Sequence, residues 1–77
     1  MVAAGDLRRG DVFVWHTWLQ MVARTVLLES GMYTIITRGE YADPDAAQTG
    51  VLAPREHYPR ELFLVLARRV SIDAWQD

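Results

Sequence analysis

Hydrophobic positions in the first half of the chain follow patterns that predict β-strands. Val12–Trp15 is a run of β-branched and aromatic residues, which is typical of a strand. Trp18–Leu28 predicts a second strand, and its length for so small a chain indicates a curve or a bulge. Met32–Thr37 has the composition of a third strand. The pattern therefore predicts three consecutive antiparallel strands.

The two connections between these strands are short enough to be tight turns. His16-Thr17 interrupts the first two strands and predicts a reversal, although neither residue favours the usual two-residue hairpin turns. Glu29-Ser30-Gly31 is a good three-residue hairpin loop, because glycine adopts the left-handed conformation that such a loop requires. We therefore expect a positive φ at Gly31.

The segment that follows has a different character. Residues 43–50 predict a short helical turn, with Asp43 as the N-cap, proline at the first helical position and Gly50 at the end. Val51–Ala53 predicts a short strand that Pro54 stops.

Leu62–Arg69 is compatible with both a strand and a helix. Pro59 before it, Glu61 near its start and two arginines at its end suit a helix and its dipole. A continuous apolar run of this length, followed by Val70-Ser71-Ile72, favours a buried strand instead. We therefore predict a strand here.

Length and composition limit the chain to one small domain over residues 1–77. Half of the residues are hydrophobic (51%) and 23% are charged, so a folded core is expected. The absence of cysteine excludes disulfides, thiolate metal sites and thiol nucleophiles. The longest apolar run, Leu62–Ala67, is too short to span a membrane, and no export signal is visible. We therefore expect a cytoplasmic protein with no membrane partner.

Charge argues against a general affinity for nucleic acid. The net charge is −2, and all eight basic residues are arginine. Aromatic residues and arginines do occur together, as in small β-barrels that bind nucleic acid. Ten acidic residues are interleaved with the arginines, however, so no stripe of the sequence is purely basic. Nucleic-acid binding is therefore the alternative function and is disfavoured.

The residues that most often carry chemistry do not form a site. His16 and His57 lie at no metal-ligand spacing and are expected to be loop residues. Ser30 and Ser71 lie in no nucleophile motif, and the five glycines are too dispersed for a phosphate loop. We therefore expect no catalysis, no metal and no cofactor.

Two predicted strands have more apolar residues than one buried face needs. In Trp18–Leu28 and in Leu62–Ala67 apolar residues occupy both alternating sets of positions, whereas a strand with one buried face should present polar residues to water. The segment 40–60, the C-terminal residues 72–75 or another protein chain could cover the second face. A homo-oligomer or a protein partner is therefore expected. The candidate interaction surface consists of Trp18, Val22, Val26, Leu28, Arg68 and Arg69.

The order of these features resembles a known group of proteins. The segment Leu7–Val12 reads L-R-R-G-D-V, Trp18 and two valines follow, then the glycine hairpin, and the last apolar strand ends at Arg68-Arg69. This order is similar to small SH3-like β-barrel proteins of actinobacteria and their phages, a family without an agreed activity. The resemblance implies an accessory protein of a phage or an actinobacterium.

Pattern and resemblance together predict a mainly β fold. We expect an SH3-like β-barrel or a strongly bent antiparallel sheet of about five strands, with one short helical turn. The predicted function is that of a non-catalytic interaction module that binds another protein or itself.

Overall fold

A computed structural model describes residues 1–38, 51–52 and 54–71 of the chain. In this part of the chain five antiparallel strands form one sheet with the order β1-β5-β2-β3-β4. A single 3₁₀ turn, Ala4–Asp6, follows the first strand. The strands are β1 (Val2–Ala3), β2 (Val12–Trp15), β3 (Trp18–Leu27), β4 (Tyr33–Arg38) and β5 (Leu62–Ala67).

The predicted mainly β fold is confirmed, and the sheet is open. The edge strands β1 and β4 do not pair with each other within the described residues, so the bent sheet is the alternative that the structure supports. The last apolar run forms a strand, as predicted, and pairs with β1 and β2. Phe63 and Val65 face the core, and Leu64 between them faces outward. The predicted helical turn at 43–50 lies outside the described residues. The turn at Ala4–Asp6 and the two-residue β1 were not predicted, because they depend on pairing with β5.

Both predicted tight turns are present. Trp15 and Trp18 face each other across a two-residue turn, in which His16 has a φ of 57°. The second hairpin closes where the Leu28 N–H donates to the Met32 carbonyl at 2.8 Å. Gly31 has a φ of 86°, which confirms the predicted left-handed conformation in this loop.

Two bulges bend the sheet. The register between β3 and β4 shifts between Val22 and Arg24, so Ala23 has no residue opposite it. The register between β2 and β5 shifts as well: Val12 faces Ala67 and Phe13 faces Val65, which leaves Leu66 unpaired. Each bulge increases the local twist and changes which side of the sheet the following residues face.

One side of the sheet carries the core, and this is called the inner face below. Phe13 of β2 and Phe63 of β5 meet edge to face, with ring centroids 5.3 Å apart. Val22 of β3 and Ile35 of β4 continue the cluster across the sheet. Three residues outside the strands close it from the same side: Ala4, Leu7 and Leu52.

The segment after residue 50 is held against the free edge of β4. Val51 forms a bridge with Ile36, and His57 forms one with Tyr33. The Leu52 N–H donates to the Ile35 carbonyl at 3.0 Å. These bonds place Leu52 over the core. Of the predicted short strand Val51–Ala53, the described residues show only the isolated bridge at Val51, and Ala53 lies outside them.

Candidate interaction surface

The side of β5 that faces away from the core is apolar and open to solvent. Alternation along the strand places Leu62 and Leu64 on the side opposite the inward-facing Phe63 and Val65, and Leu66 follows at the bulge position. These three leucines are 57%, 49% and 58% exposed. The expectation that this strand is apolar on both faces is therefore confirmed, and its second face is not covered by the described residues.

The neighbouring strands extend this apolar surface, which is called the outer face below. Paired residues point to the same side of a sheet, so Ala3 lies beside Leu62 and Val14 lies beside Leu64. Leu19 of β3 faces Val14 in turn, and both are half-buried. Val12 and Met21 continue the outer face and are buried. Across β1, β5 and β2 the outer face therefore carries apolar side chains only.

The bulge in β3 separates the apolar residues that the sequence grouped as a candidate surface. Val22 precedes the bulge and is fully buried in the core, so it belongs to the interior and not to a surface. Val26 follows the bulge, lies on the outer face opposite Thr34 and is half-buried. Leu28 is half-buried in the hairpin loop, while Trp18 is 37% exposed beside the first turn. These four residues do not form one continuous surface.

Arg68 is fixed by the buried carboxylate of Asp11. Arg68 Nε donates to Asp11 Oδ1 at 3.3 Å, and Nη2 donates to Oδ2 at 3.1 Å. The same Nη2 donates to the Asp6 carbonyl at 3.0 Å. The hydrogen bond from Asp11, followed by its negative charge, raises the pKa of Arg68 above its ordinary value. Arg68 is therefore a permanently charged residue with a defined position.

The Leu7–Val12 motif contains Asp11 and holds the carboxylate of this ion pair in place. Asp11 also accepts hydrogen bonds from the backbone N–H groups of Arg8, at 2.8 Å to Oδ2, and Arg69, at 3.4 Å to Oδ1. Gly10 has a φ of 89°, and a Cβ atom at this position would lie 2.5 Å from the Val70 carbonyl oxygen. The motif thus joins the start of β2 to the end of β5. These contacts give its residues a structural role.

An open cleft of about 690 Å³ lies where β1 approaches the chain that follows β5. Three arginines line it, together with an acidic residue and the apolar start of the chain: Arg8, Arg68, Arg69, Asp6, Met1, Val2 and Ala3. Arg69 is exposed and has a φ of 57°, an uncommon conformation for a residue with a long side chain. The two arginines that the sequence proposed for a surface therefore meet in this cleft.

His57 and Gln20 are buried polar residues that the sequence analysis missed. The predicted loop residue His57 is fully buried, and its ring packs edge to face on Trp15 and Phe63 at 5.3 and 5.5 Å. Its Nδ1 lies 2.7 Å from Glu61 Oε2. Neither His57 Nε2 nor the Gln20 amide has a hydrogen-bond partner among the described residues. The spacing of Glu61 four residues after His57 was the available signal for their contact.

The described residues hold no cluster of three or more histidine, aspartate or glutamate side chains that could bind a metal ion. Within the same residues, no helix has the length and hydropathy needed to cross a membrane. Comparison of the chain with protein-family models, with curated proteins and with solved structures gives no match. The resemblance to SH3-like barrel proteins therefore stays a prediction.

Proposed function

We propose that this protein is a non-catalytic interaction module whose outer face binds a second copy of the same chain. The observation that carries the proposal is the exposed row of Leu62, Leu64 and Leu66 on a strand whose other side lies in the core. Contiguous exposed apolar side chains on a small protein are typical of a contact surface.

The composition of the outer face favours a second copy as the occupant. A twofold contact places the same residues of both chains against each other, so a charged residue in the patch would meet its like. The outer face of β1, β5 and β2 carries no charged position, so leucine meets leucine and no charge loses its water. A stable contact buries roughly 800 Å² per partner, about one sixth of the 5037 Å² surface of this chain. We expect one face of the sheet to supply that area.

The first test is the replacement of a leucine at the centre of the row. Leu64→Asp places a carboxylate in the proposed contact, where an unpaired charge costs several kcal/mol, roughly a hundredfold or more in dimer affinity. Light scattering after size exclusion should give twice the 8.8 kDa chain mass for the wild type and the single mass for this variant. Circular dichroism should stay unchanged, because Leu64 points away from the core.

Leu27→Asp is the matched control. Leu27 is 62% exposed, but it lies at the far end of β3, opposite Tyr33 and away from the leucine row. This variant should remain a dimer. Leu66→Asp, at the unpaired bulge position, should behave like Leu64→Asp. The same result at two positions shows that loss of the dimer is not caused by a folding defect at one of them. A wild-type protein that is monomeric at about 1 mM, or equal loss of the dimer in Leu27→Asp, would overturn the proposal.

A further inference from the structure

We propose that the cleft between β1 and the Arg68-Arg69 segment binds a phosphate-bearing small molecule. The proposal is independent of the outer face, because it rests on the three guanidinium groups that line this cleft. Arg68 already neutralises Asp11, so the side chain of Arg69 is not needed for that ion pair.

Two of the arginines are held in position by the protein itself. Arg68 is fixed by Asp11 and by the Asp6 carbonyl, which engage its Nε and Nη2 atoms. Arg8 Nη1 donates to the carbonyls of Gly5, at 3.1 Å, and Leu7, at 2.9 Å. Each guanidinium has five N–H donors, so both arginines retain donors for a ligand. Because their side chains are already ordered, binding a ligand costs little further side-chain entropy.

Arg69 differs from both because the fold uses only its backbone. Its N–H donates to Asp11 Oδ1, and its exposed side chain makes no hydrogen bond to the described residues. Its φ of 57° is a conformation that glycine adopts without strain and arginine adopts at a cost. A strained arginine at a cleft is the kind of backbone outlier that points to a ligand contact.

The charges of the cleft select an anion. Asp11 is buried and is paired with Arg68, which leaves exposed Asp6 as the acidic residue at the cleft opposite Arg8 and Arg69. Among the described residues that line the cleft, positive charge is therefore in excess. The fork of one guanidinium matches the two oxygens of a planar carboxylate, whereas donors from three arginines suit the three terminal oxygens of a phosphate group.

The size and the remaining walls of the cleft indicate that the ligand has an organic body. The cleft is open to solvent, and its volume of about 690 Å³ leaves room for more than a phosphate group. Met1, Val2 and Ala3 form an apolar wall for such a body. We therefore expect an organic phosphate to bind more tightly than inorganic phosphate.

The test is a titration followed by ¹H–¹⁵N NMR at constant ionic strength. The probes are inorganic phosphate, phenyl phosphate, and benzoate as a carboxylate with the same body. Phenyl phosphate should shift the signals of Val2, Ala3, Arg8 and Arg69 in a saturable way, with a Kd of about 1 mM or below. Inorganic phosphate should bind several-fold more weakly, and benzoate at least about tenfold more weakly.

Arg69→Gly is the decisive variant, because glycine accepts the observed φ and removes the guanidinium. It should lose at least about tenfold in phenyl phosphate affinity without a loss of thermal stability. Arg60→Ala removes an exposed arginine that does not line the cleft and should change the affinity less than about twofold. The proposal is overturned by the absence of saturable shifts, by equal binding of benzoate, or by equal losses in the two variants.

Discussion

Gly10 and Gly31 have nearly the same backbone conformation in different surroundings. Their φ values are 89° and 86°, so both positions penalise a residue with a side chain. A Cβ atom at Gly31 would meet nothing within 4 Å, whereas at Gly10 it would lie 2.5 Å from the Val70 carbonyl oxygen. Gly31 is therefore required for its backbone conformation alone, whereas Gly10 is required for its backbone conformation and for the close approach of Val70.

This pair of glycines yields a matched prediction at the scale of single residues. Gly31→Ala should lower the free energy of unfolding by about 1–2 kcal/mol, the cost of a strained φ alone. Gly10→Ala should cost clearly more, because the Val70 N–H bond to the Gly10 carbonyl must also shift to relieve the overlap. Urea unfolding of both variants measures the difference, and equal losses would contradict the close approach at Gly10.

Gln20 is a second residue with a clear expected response. It lies opposite Phe13 on the inner face and is fully buried, and neither amide atom has a partner in the part of the chain that the structure describes. Gln20→Met keeps the length of the side chain and removes two unpaired polar atoms, so it should stabilise the fold by about 1–3 kcal/mol. A higher thermal midpoint is the expected result. A lower midpoint would show that the amide has a partner in solution.

At the scale of elements, bulges set the limit of what the sequence can predict. The three strands and the turn at Gly31 follow from local patterns, and their bounds agree with the structure to within one residue. The side that each residue faces does not follow, because the bulge at Ala23 reverses the alternation between Val22 and Val26. Periodicity predicted one apolar surface along β3, and the structure divides it between the core and the outer face.

Asp11 is the residue that joins elements far apart in the chain. Its carboxylate accepts hydrogen bonds from two backbone N–H groups and from the Arg68 guanidinium. Its backbone carbonyl accepts from the Val22 N–H at 2.9 Å. Asp11→Asn directs an amide NH₂ at one of these donors and should cost about 2–4 kcal/mol in unfolding free energy. Asp6→Asn, at an exposed carboxylate, should cost less than about 0.5 kcal/mol. Comparable losses in the two variants would contradict this role of Asp11.

At the scale of the whole molecule, the described residues form a single bent sheet that has more apolar surface than its core buries. The sequence predicted this excess from β5, because a run of six apolar residues cannot be buried on one side only. It could not predict the arginine cleft, since Arg8 and Arg69 are brought together only by the pairing of β1 with β5 and by the Asp11 contacts. A small domain gains stability when such a face is covered, which is the physical reason for the proposed self-association.

The most direct test of this account is the detection of contacts between two chains at the outer face. In a sample that mixes isotope-labelled and unlabelled protein, filtered nuclear Overhauser spectra record only contacts between chains. The methyl groups of Leu62, Leu64 and Leu66 should show contacts to the same methyl groups of the second copy. An absence of contacts between chains at about 1 mM, or contacts confined to Trp18 and Leu27, would contradict the proposed interface.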